Sequence, residues 1–233
     1  MALIMANCFP KSGTNLLRQM LSGVAYDLQN LSYYNDQGVP KSKKEIMFQL
    51  SLAKEIAENS DEDIFFTSHL PCSYLIKNYM QDAKMIILVR DLRGVCVSHA
   101  HYIFDTPDHH LYFHYRELPD WEARIRLSIT GLGGHFPDIG QRFLPYIPWL
   151  WDEDMLLLFY EDLVVDTELE AEVMAGFLGI GIAGSKKLLE NVNTETSHTF
   201  RKGDPYSWEE EMSEANQRLF DDIAGWTKEI IWR

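Results

Sequence analysis

Cysteine is scarce in this chain. Cys8, Cys72 and Cys96 are the only three, an odd number at wide spacing that suggests neither a disulfide framework, a zinc ligand set nor a redox pair. Basic residues are also few: 21 Lys and Arg stand against 35 Asp and Glu, a formal net charge of −14. That balance disfavours nonspecific nucleic-acid binding, because attraction to a phosphate backbone needs a basic surface. Any anionic ligand must then be met by a local basic pocket. No run approaches the ~20 apolar residues of a membrane-spanning helix. The opening MALIMANCF has no basic leader and continues into a loop, so it reads as a first strand rather than a targeting segment. Together these absences point to a chain with no membrane span, no nucleic-acid partner and no structural metal, working in a reducing compartment, the cytoplasm.

What is present fits one globular domain over residues 1–233. The chain is 46% apolar and 24% charged, and a domain of this size buries roughly 70 to 75% of its unfolded surface without a metal or disulfide staple. The residues LIMANCF at 3–9 are short, apolar and followed by Pro10 and Gly13, which reads as a buried strand ending in a loop. From Thr14 the apolar residues Leu16, Leu17, Met20, Leu21 and Val24 fall at helical spacing, with Thr14 as the expected N-cap. The alternation recurs in DIFFT at 63–67 before a helix near 72–80, and in KMIILVR at 84–90 before a helix near 92–104. A fourth strand, MLLLFY at 155–160, precedes the helical pattern LEAEVMAGFLG. Uniformly apolar strands separated by helices predict an α/β fold with a central parallel sheet covered by helices on both faces. Ligands of such folds gather beyond the carboxyl ends of the strands, so the residues after Phe9, Thr67, Arg90 and Phe159 are expected to converge. Between 105 and 151 prolines and aromatics crowd an insertion with helices near 120–132 and 137–147. Residues 209–232 read as one closing helix, acidic at its start.

The segment Phe9-Pro10-Lys11-Ser12-Gly13-Thr14-Asn15 lies between strand and helix, where free backbone N–H groups make an anion site. Lys11 adds a charge, and Ser12 and Thr14 add hydroxyls. It is P-loop-like without being the G-x-x-x-x-G-K-[ST] loop of nucleoside triphosphatases, since Lys11 precedes the glycine and the first glycine is missing. A Pro-Gly turn capped by Thr14 is the plain alternative.

Lys11 through Thr14, KSGT, following Pro10, resembles the 5′-phosphosulfate loop of the cytosolic-type sulfotransferases, which use 3′-phosphoadenosine 5′-phosphosulfate (PAPS) as donor and release 3′,5′-bisphosphoadenosine (PAP). Further segments follow in the family's order. Thr67-Ser68-His69-Leu70-Pro71 resembles the T-H-L-P segment, whose histidine is the catalytic base. Arg90 through Ser98, RDLRGVCVS, resembles R-N-P-x-D-x-x-V-S, whose arginine and serine hold the 3′-phosphate. Tyr160-Glu161-Asp162-Leu163 resembles Y-E-D-[ML], with its tyrosine near the nucleotide. Arg201-Lys202-Gly203, with Trp208 five residues on, resembles R-K-G-x-x-G-x-W, which closes over the 3′-phosphate. The resemblance spans residues 9 to 208.

It implies sulfuryl transfer to a hydroxyl or amine of a small-molecule acceptor, with His69 as general base, Lys11 steadying the leaving 5′-phosphate, and no metal. Several family positions are changed. Leu16 stands where a tryptophan stacks on adenine, and Tyr206 replaces the second glycine of the closing loop. Asp91 and Leu92 replace asparagine and proline, Thr67 replaces a lysine, and 181–201 is too short for the usual adenine-covering loop. Taken singly, Arg90 could cap its strand, Tyr160 could be core and Arg201-Lys202 a solvated pair. The acceptor is assigned to the insertion at 99–151, whose aromatics, among them Tyr102, Trp121, Tyr146 and Trp149, could line a pocket for an aromatic or lipid-like alcohol or be ordinary core. The histidines at 99, 101, 109, 110 and 114 fit no metal spacing and read as a polar loop. A nucleotide kinase and a catalytically silent PAP-binding domain are the competing readings, and the oligomeric state stays open.

Overall fold

The computed structural model describes residues 1–31, 41–192 and 204–231. In chain order the elements are β1 (Leu3–Cys8), α1 (Thr14–Leu21), β2 (Tyr26–Leu31), α2 (Lys43–Glu58), β3 (Ile64–Ser68), α3 (Tyr74–Tyr79) and β4 (Lys84–Val89). There follow α4 (Leu92–Phe104), α5 (Tyr112–Arg116), α6 (Trp121–Thr130), α7 (Ile139–Phe143), α8 (Ile147–Leu150), β5 (Leu156–Phe159), α9 (Tyr160–Val165), α10 (Thr167–Leu178) and α11 (Gly181–Glu190). The chain ends with α12 (Trp208–Glu211), α13 (Glu214–Ala224) and α14 (Lys228–Ile231). Contacts gather these into two compact units, one of residues 1–89 and 146–201, the other of 90–145 and 202–233.

The first unit holds the whole sheet, in the order β2-β3-β1-β4-β5 with every pair parallel. All six residues of β1 are buried, as are all five of β3, which is how strands covered on both faces must read. On one face Ile4, Ala6 and Cys8 meet Leu17, Met20 and Leu21 of α1 and Met174, Ala175 and Leu188 of α10 and α11. Burying each large aliphatic side chain there contributes roughly 1.5–3 kcal/mol. Helix α2 packs against β1 as well. The central strand β1 is flanked by strands reached in opposite directions along the chain, the switch point beyond whose carboxyl end ligands collect.

Among the described residues the sheet has five strands where the sequence pattern predicts four. The extra strand, β2, is the polar YDLQNL at the sheet edge, and its register against β3 shifts between Asp27 and Asn30, with Gln29 at φ 73°. An edge strand with a bulge lacks the apolar signature of a buried one. Helix α2 is a further element beyond those the sequence pattern predicts, and its start carries a plain signal: Ser42 and Glu45 form a capping box, and Ile46, Leu50, Ala53 and Ala57 recur on one buried face. The N-cap of α1 is Gly13, not Thr14, because Gly13 takes the left-handed conformation at φ 99° and leaves Thr14 as the first helical residue.

The second unit is helical. Helix α4 packs on α5 and α6, and α6 on α13, with the Tyr115 hydroxyl 2.9 Å from the Ser128 hydroxyl and the Arg124 guanidinium donating to the Tyr115 carbonyl at 3.0 Å. The single closing helix expected over 209–232 is broken. Ser213 caps α13 through Asn216, and a 3-10 turn at Gly225–Thr227 ends it. The helix expected over 137–147 stops likewise at Phe143 and gives way to a 3-10 turn over Leu144–Tyr146, since Pro145 cannot donate to the helical ladder.

Candidate active site

Beyond β1 the chain turns sharply. The Ser12 N–H donates to the Phe9 carbonyl at 3.1 Å, and the residues on either side of Ser12 are left-handed, Lys11 at φ 69° and Gly13 at φ 99°. A lysine in that region is strained by of order 1–3 kcal/mol, a pattern concentrated at ligand clamps. Gly13 is required twice over. A Cβ there would stand 2.4 Å from Cδ2 of Tyr160, so the ring that opens α9 lies directly against the loop backbone. Ser12 is fully buried, yet its hydroxyl has no hydrogen-bond partner among the described residues. Neither Gly13 nor Thr14 donates its N–H to a backbone carbonyl among them, as expected at the start of α1. A buried hydroxyl with no partner, beside N–H groups given to no backbone carbonyl at a helix N-terminus, suits an anion. Burial pushes the Cys8 thiol up to about 12, with the Thr14 side chain opposing it.

Beyond β3 the polar groups are committed. Nδ1 of His69 lies 2.8 Å from the Cys8 carbonyl oxygen. A carbonyl can only accept, so Nδ1 carries the hydrogen and the neutral ring presents its lone pair at Nε2. Burial lowers the pKa of His69 from the ordinary 6.5; the Cys8 carbonyl opposes this and the Lys11 charge adds to it. The ring is therefore neutral at pH 7, with Lys11 near enough to be felt. The backbone around it is pinned. The Tyr146 hydroxyl donates to the His69 carbonyl at 2.7 Å, and the Trp149 indole N–H to the Leu70 carbonyl at 2.9 Å. Tyr146 also meets the Phe9 ring nearly at right angles, centroids 5.0 Å apart. Tyr146 and Trp149 are thus bound to the β3 exit.

Within the first unit, then, Lys11, Ser12, Gly13, Thr14, Asn15, His69 and Tyr160 all follow the carboxyl ends of β1, β3 and β5. In the second unit Arg90, next in the chain after β4, is buried and lies along α4: a Cβ on Gly94 would come 2.8 Å from its Nε. Ser98 sits one turn beyond Gly94 on that helix face. Gly94, unremarked in the sequence reading, is what leaves room for the guanidinium. Arg201, Lys202 and Gly203 lie outside the described residues. Trp208, five positions on, is buried with the Arg93 guanidinium 3.7 Å from its ring centroid. His99 and His101 belong to α4 rather than to a polar loop. His101 stacks 4.1 Å from Trp121 and bonds Glu211 at 2.9 Å, and His99 stacks on Phe136 at 5.2 Å. Among the described residues no helix is long and apolar enough to cross a membrane. Nor does any group of three His, Cys, Asp or Glu stand placed to hold a metal.

The resemblance implied a sulfotransferase, and comparison with known proteins agrees on the family. A model of the sulfotransferase domain matches residues 3–229. The chain belongs to the sulfotransferase family. As a sulfotransferase it is distant from its relatives. It is 20% identical to Cytosolic sulfotransferase 1 of Danio rerio over 94% of this chain and 80% of that one. To Sulfotransferase 2A1 of Homo sapiens it is 26% identical over 73% of this chain and 57% of that protein. Mouse sulfotransferase SULT7A1, crystallised with PAP, shares the fold with a TM-score of 0.69 at 18% identity, over 100% of this chain and 85% of the other. Retinol dehydratase in complex with androsterone and PAP does so with a TM-score of 0.63 at 18% identity, over 98% and 80%.

Proposed function

We propose that this sulfotransferase moves a sulfuryl group from PAPS to the hydroxyl, or amine, of a small-molecule acceptor, with His69 as general base. The observation that carries the reading is the Nδ1 contact with the Cys8 carbonyl, which leaves Nε2 as the acceptor nitrogen one strand away from the loop at Lys11–Asn15. In the step proposed, the acceptor oxygen forms a bond to sulfur while the bond from sulfur to the bridging oxygen of the 5′-phosphate breaks. The acceptor's proton passes to Nε2, and the electron pair departs with the phosphate. Positioning and charge stabilisation dominate such transfers. Lys11 meets the charge that grows on the leaving phosphate. The N–H groups of Gly13, Thr14 and Asn15 and the uncommitted Ser12 hydroxyl hold the 5′ end.

Arg90, Ser98, Arg201, Lys202 and Gly203 are assigned to the 3′-phosphate, and Tyr160 to the nucleotide beside the loop. The segment at 99–151 is assigned to the acceptor. Its exposed rings, Tyr102, Phe113 and Trp121, suit an aromatic or lipid-like alcohol, and retinol dehydratase, of the same fold, is crystallised with androsterone. Three free cysteines suit a cytoplasmic setting.

Calorimetric titration with PAP, ATP and 5′-AMP tests the donor. Affinity for PAP in the micromolar range or tighter, with ATP and 5′-AMP much weaker, is the expected result. Tighter, magnesium-dependent ATP binding points to a kinase instead. A radiolabelled PAPS screen over phenols, alcohols and amines then identifies the acceptor class, and PAP binding with no turnover on any of them leaves only a nucleotide-binding domain.

A further inference from the structure

We infer that Asn7, assisted by Tyr146, is a positioning residue that holds His69 in its base-competent orientation. This rests on the reading of His69 as the base. Asn7 lies in the middle of the sheet on a strand otherwise made of Leu, Ile, Met, Ala and Cys, and it is fully buried. A central strand there asks for an apolar side chain, and a buried amide is unfavourable unless its polar atoms are matched. They are matched, and all on the two residues that flank His69. Oδ1 accepts from the Ser68 hydroxyl at 2.8 Å and from the Leu70 N–H at 2.7 Å, while Nδ2 donates to the Leu70 carbonyl at 2.9 Å.

The β1–β3 ladder ends at the Asn7–Ser68 pair, so His69 is the first residue past the paired strand. There the Asn7 side chain takes over from the backbone ladder and binds Leu70 as a neighbouring strand would. The next residue of β1, Cys8, turns its carbonyl to Nδ1 of His69. Two consecutive residues of one strand thus set the ring, Asn7 through the backbone on either side of it and Cys8 through the tautomer. Tyr146 secures the intervening carbonyl at 2.7 Å. Without Asn7 the side-chain bonds left on the backbone at the exit of β3, among the described residues, are those of Tyr146 and Trp149, and the imidazole is free to leave Cys8.

The test is steady-state turnover with PAPS and the best acceptor of the screen, together with calorimetric PAP affinity, in Asn7→Ala, Asn7→Asp, Tyr146→Phe, His69→Ala and the double variant Asn7→Ala/His69→Ala. Asn7→Ala is expected to lower kcat about 10- to 100-fold, as misplacement of a catalytic group does, with PAP affinity within about twofold of wild type. Asn7→Asp keeps the acceptor for Ser68 and Leu70 but sets an oxygen against the Leu70 carbonyl where Nδ2 donated, so Asn7→Asp and Tyr146→Phe are each expected to lower kcat, by less than Asn7→Ala. In the His69→Ala background Asn7→Ala is expected to change the residual rate less than about twofold, because residues acting through one group are not additive. A double variant that loses the full factor again overturns the inference, as does wild-type kcat in folded Asn7→Ala, or a PAP affinity that falls in step with kcat. Should Asn7→Ala not fold, wild-type kcat in both Asn7→Asp and Tyr146→Phe overturns it equally. Wild-type kcat in His69→Ala has a different signature: it removes the base itself, and the inference with it.

Discussion

The ends of β1 and β3 are neighbours in one sheet and are built in opposite ways. After β1 the chain is strained at Lys11, turns through a left-handed Gly13 and leaves a buried hydroxyl at Ser12 without a hydrogen-bond partner among the described residues. After β3 the polar groups of Ser68, His69 and Leu70 are bonded to Asn7, Cys8, Tyr146 and Trp149. In the proposed reading the donor's phosphate takes up the groups of the first end, and it meets at the second a histidine already held by its neighbours. Binding energy can then go to holding the donor rather than to ordering the base, which is the economy of preorganisation.

The comparison breaks most visibly if His69→Ala leaves the rate intact. Loss of a general base costs about 10²- to 10⁴-fold, and that loss is expected in kcat with PAP affinity largely kept. Next in size is Gly13→Ala. With φ at 99° and a Cβ 2.4 Å from the Tyr160 ring, the strain is of order 1–3 kcal/mol, and it falls on the one conformation that presents the loop. PAP affinity measured by calorimetry should drop by about 10- to 100-fold at the conversion of 1.4 kcal/mol per decade. Unchanged affinity would show that Tyr160 and the loop part readily.

Ser12→Ala sharpens the contrast. An unpaired buried hydroxyl is a liability of about 1–3 kcal/mol in the free protein, whereas a hydrogen bond to a charged group is worth about 1.5–3 kcal/mol. Removing it should leave the melting temperature of the free protein unchanged or raised, and weaken PAP by about 10- to 100-fold. Asn7→Ala should do the reverse, lowering the melting temperature and sparing PAP. If Ser12→Ala melts lower and binds PAP normally, the hydroxyl serves the fold and the contrast between the two ends is lost.

Much of this was legible in the chain because apolar strands and short loops have local causes. LIMANC, IFFTS and KMIILV declare buried strands by composition alone, and the positions of Lys11, His69 and Tyr160 just past strands follow from them. What was not legible depends on pairing. The edge strand β2 is polar and bulged, and is a strand only because β3 lies beside it. Asn7 looks like a flaw in an apolar run until Ser68 and Leu70 are placed opposite. Tyr146 and Trp149, two of the nine Phe, Trp and Tyr residues between 105 and 151, are set apart by what they reach some 77 and 79 residues earlier in the chain. The left-handed lysine has no sequence signal at all, whereas the capping box at Ser42 was a local signal left unused.

The finest test of the contrast concerns how the two ends speak to each other. His69 is held below the ordinary 6.5 first by burial, with the Lys11 charge adding to it against the pull of the Cys8 carbonyl. Only the neutral ring has a lone pair to offer, so kcat/KM should fall on the acid side as pH drops through the pKa of His69 in the free enzyme. Replacing the ammonium in Lys11→Met removes one of the influences that depress it, and the acid limb should move to higher pH, toward 6.5, even as the overall rate declines. The same shift governs stability. A group whose pKa is lower folded than unfolded contributes fully above its unfolded value, and that contribution is lost as pH falls through the folded one. The acid-side loss of stability attributable to His69 should therefore be smaller in Lys11→Met than in wild type. A proton NMR titration of the His69 ring reads the displacement independently of turnover. A limb and a resonance that stay put, or move down, would mean that the lysine of the first end does not reach the histidine of the second, and that the two ends act on the donor separately.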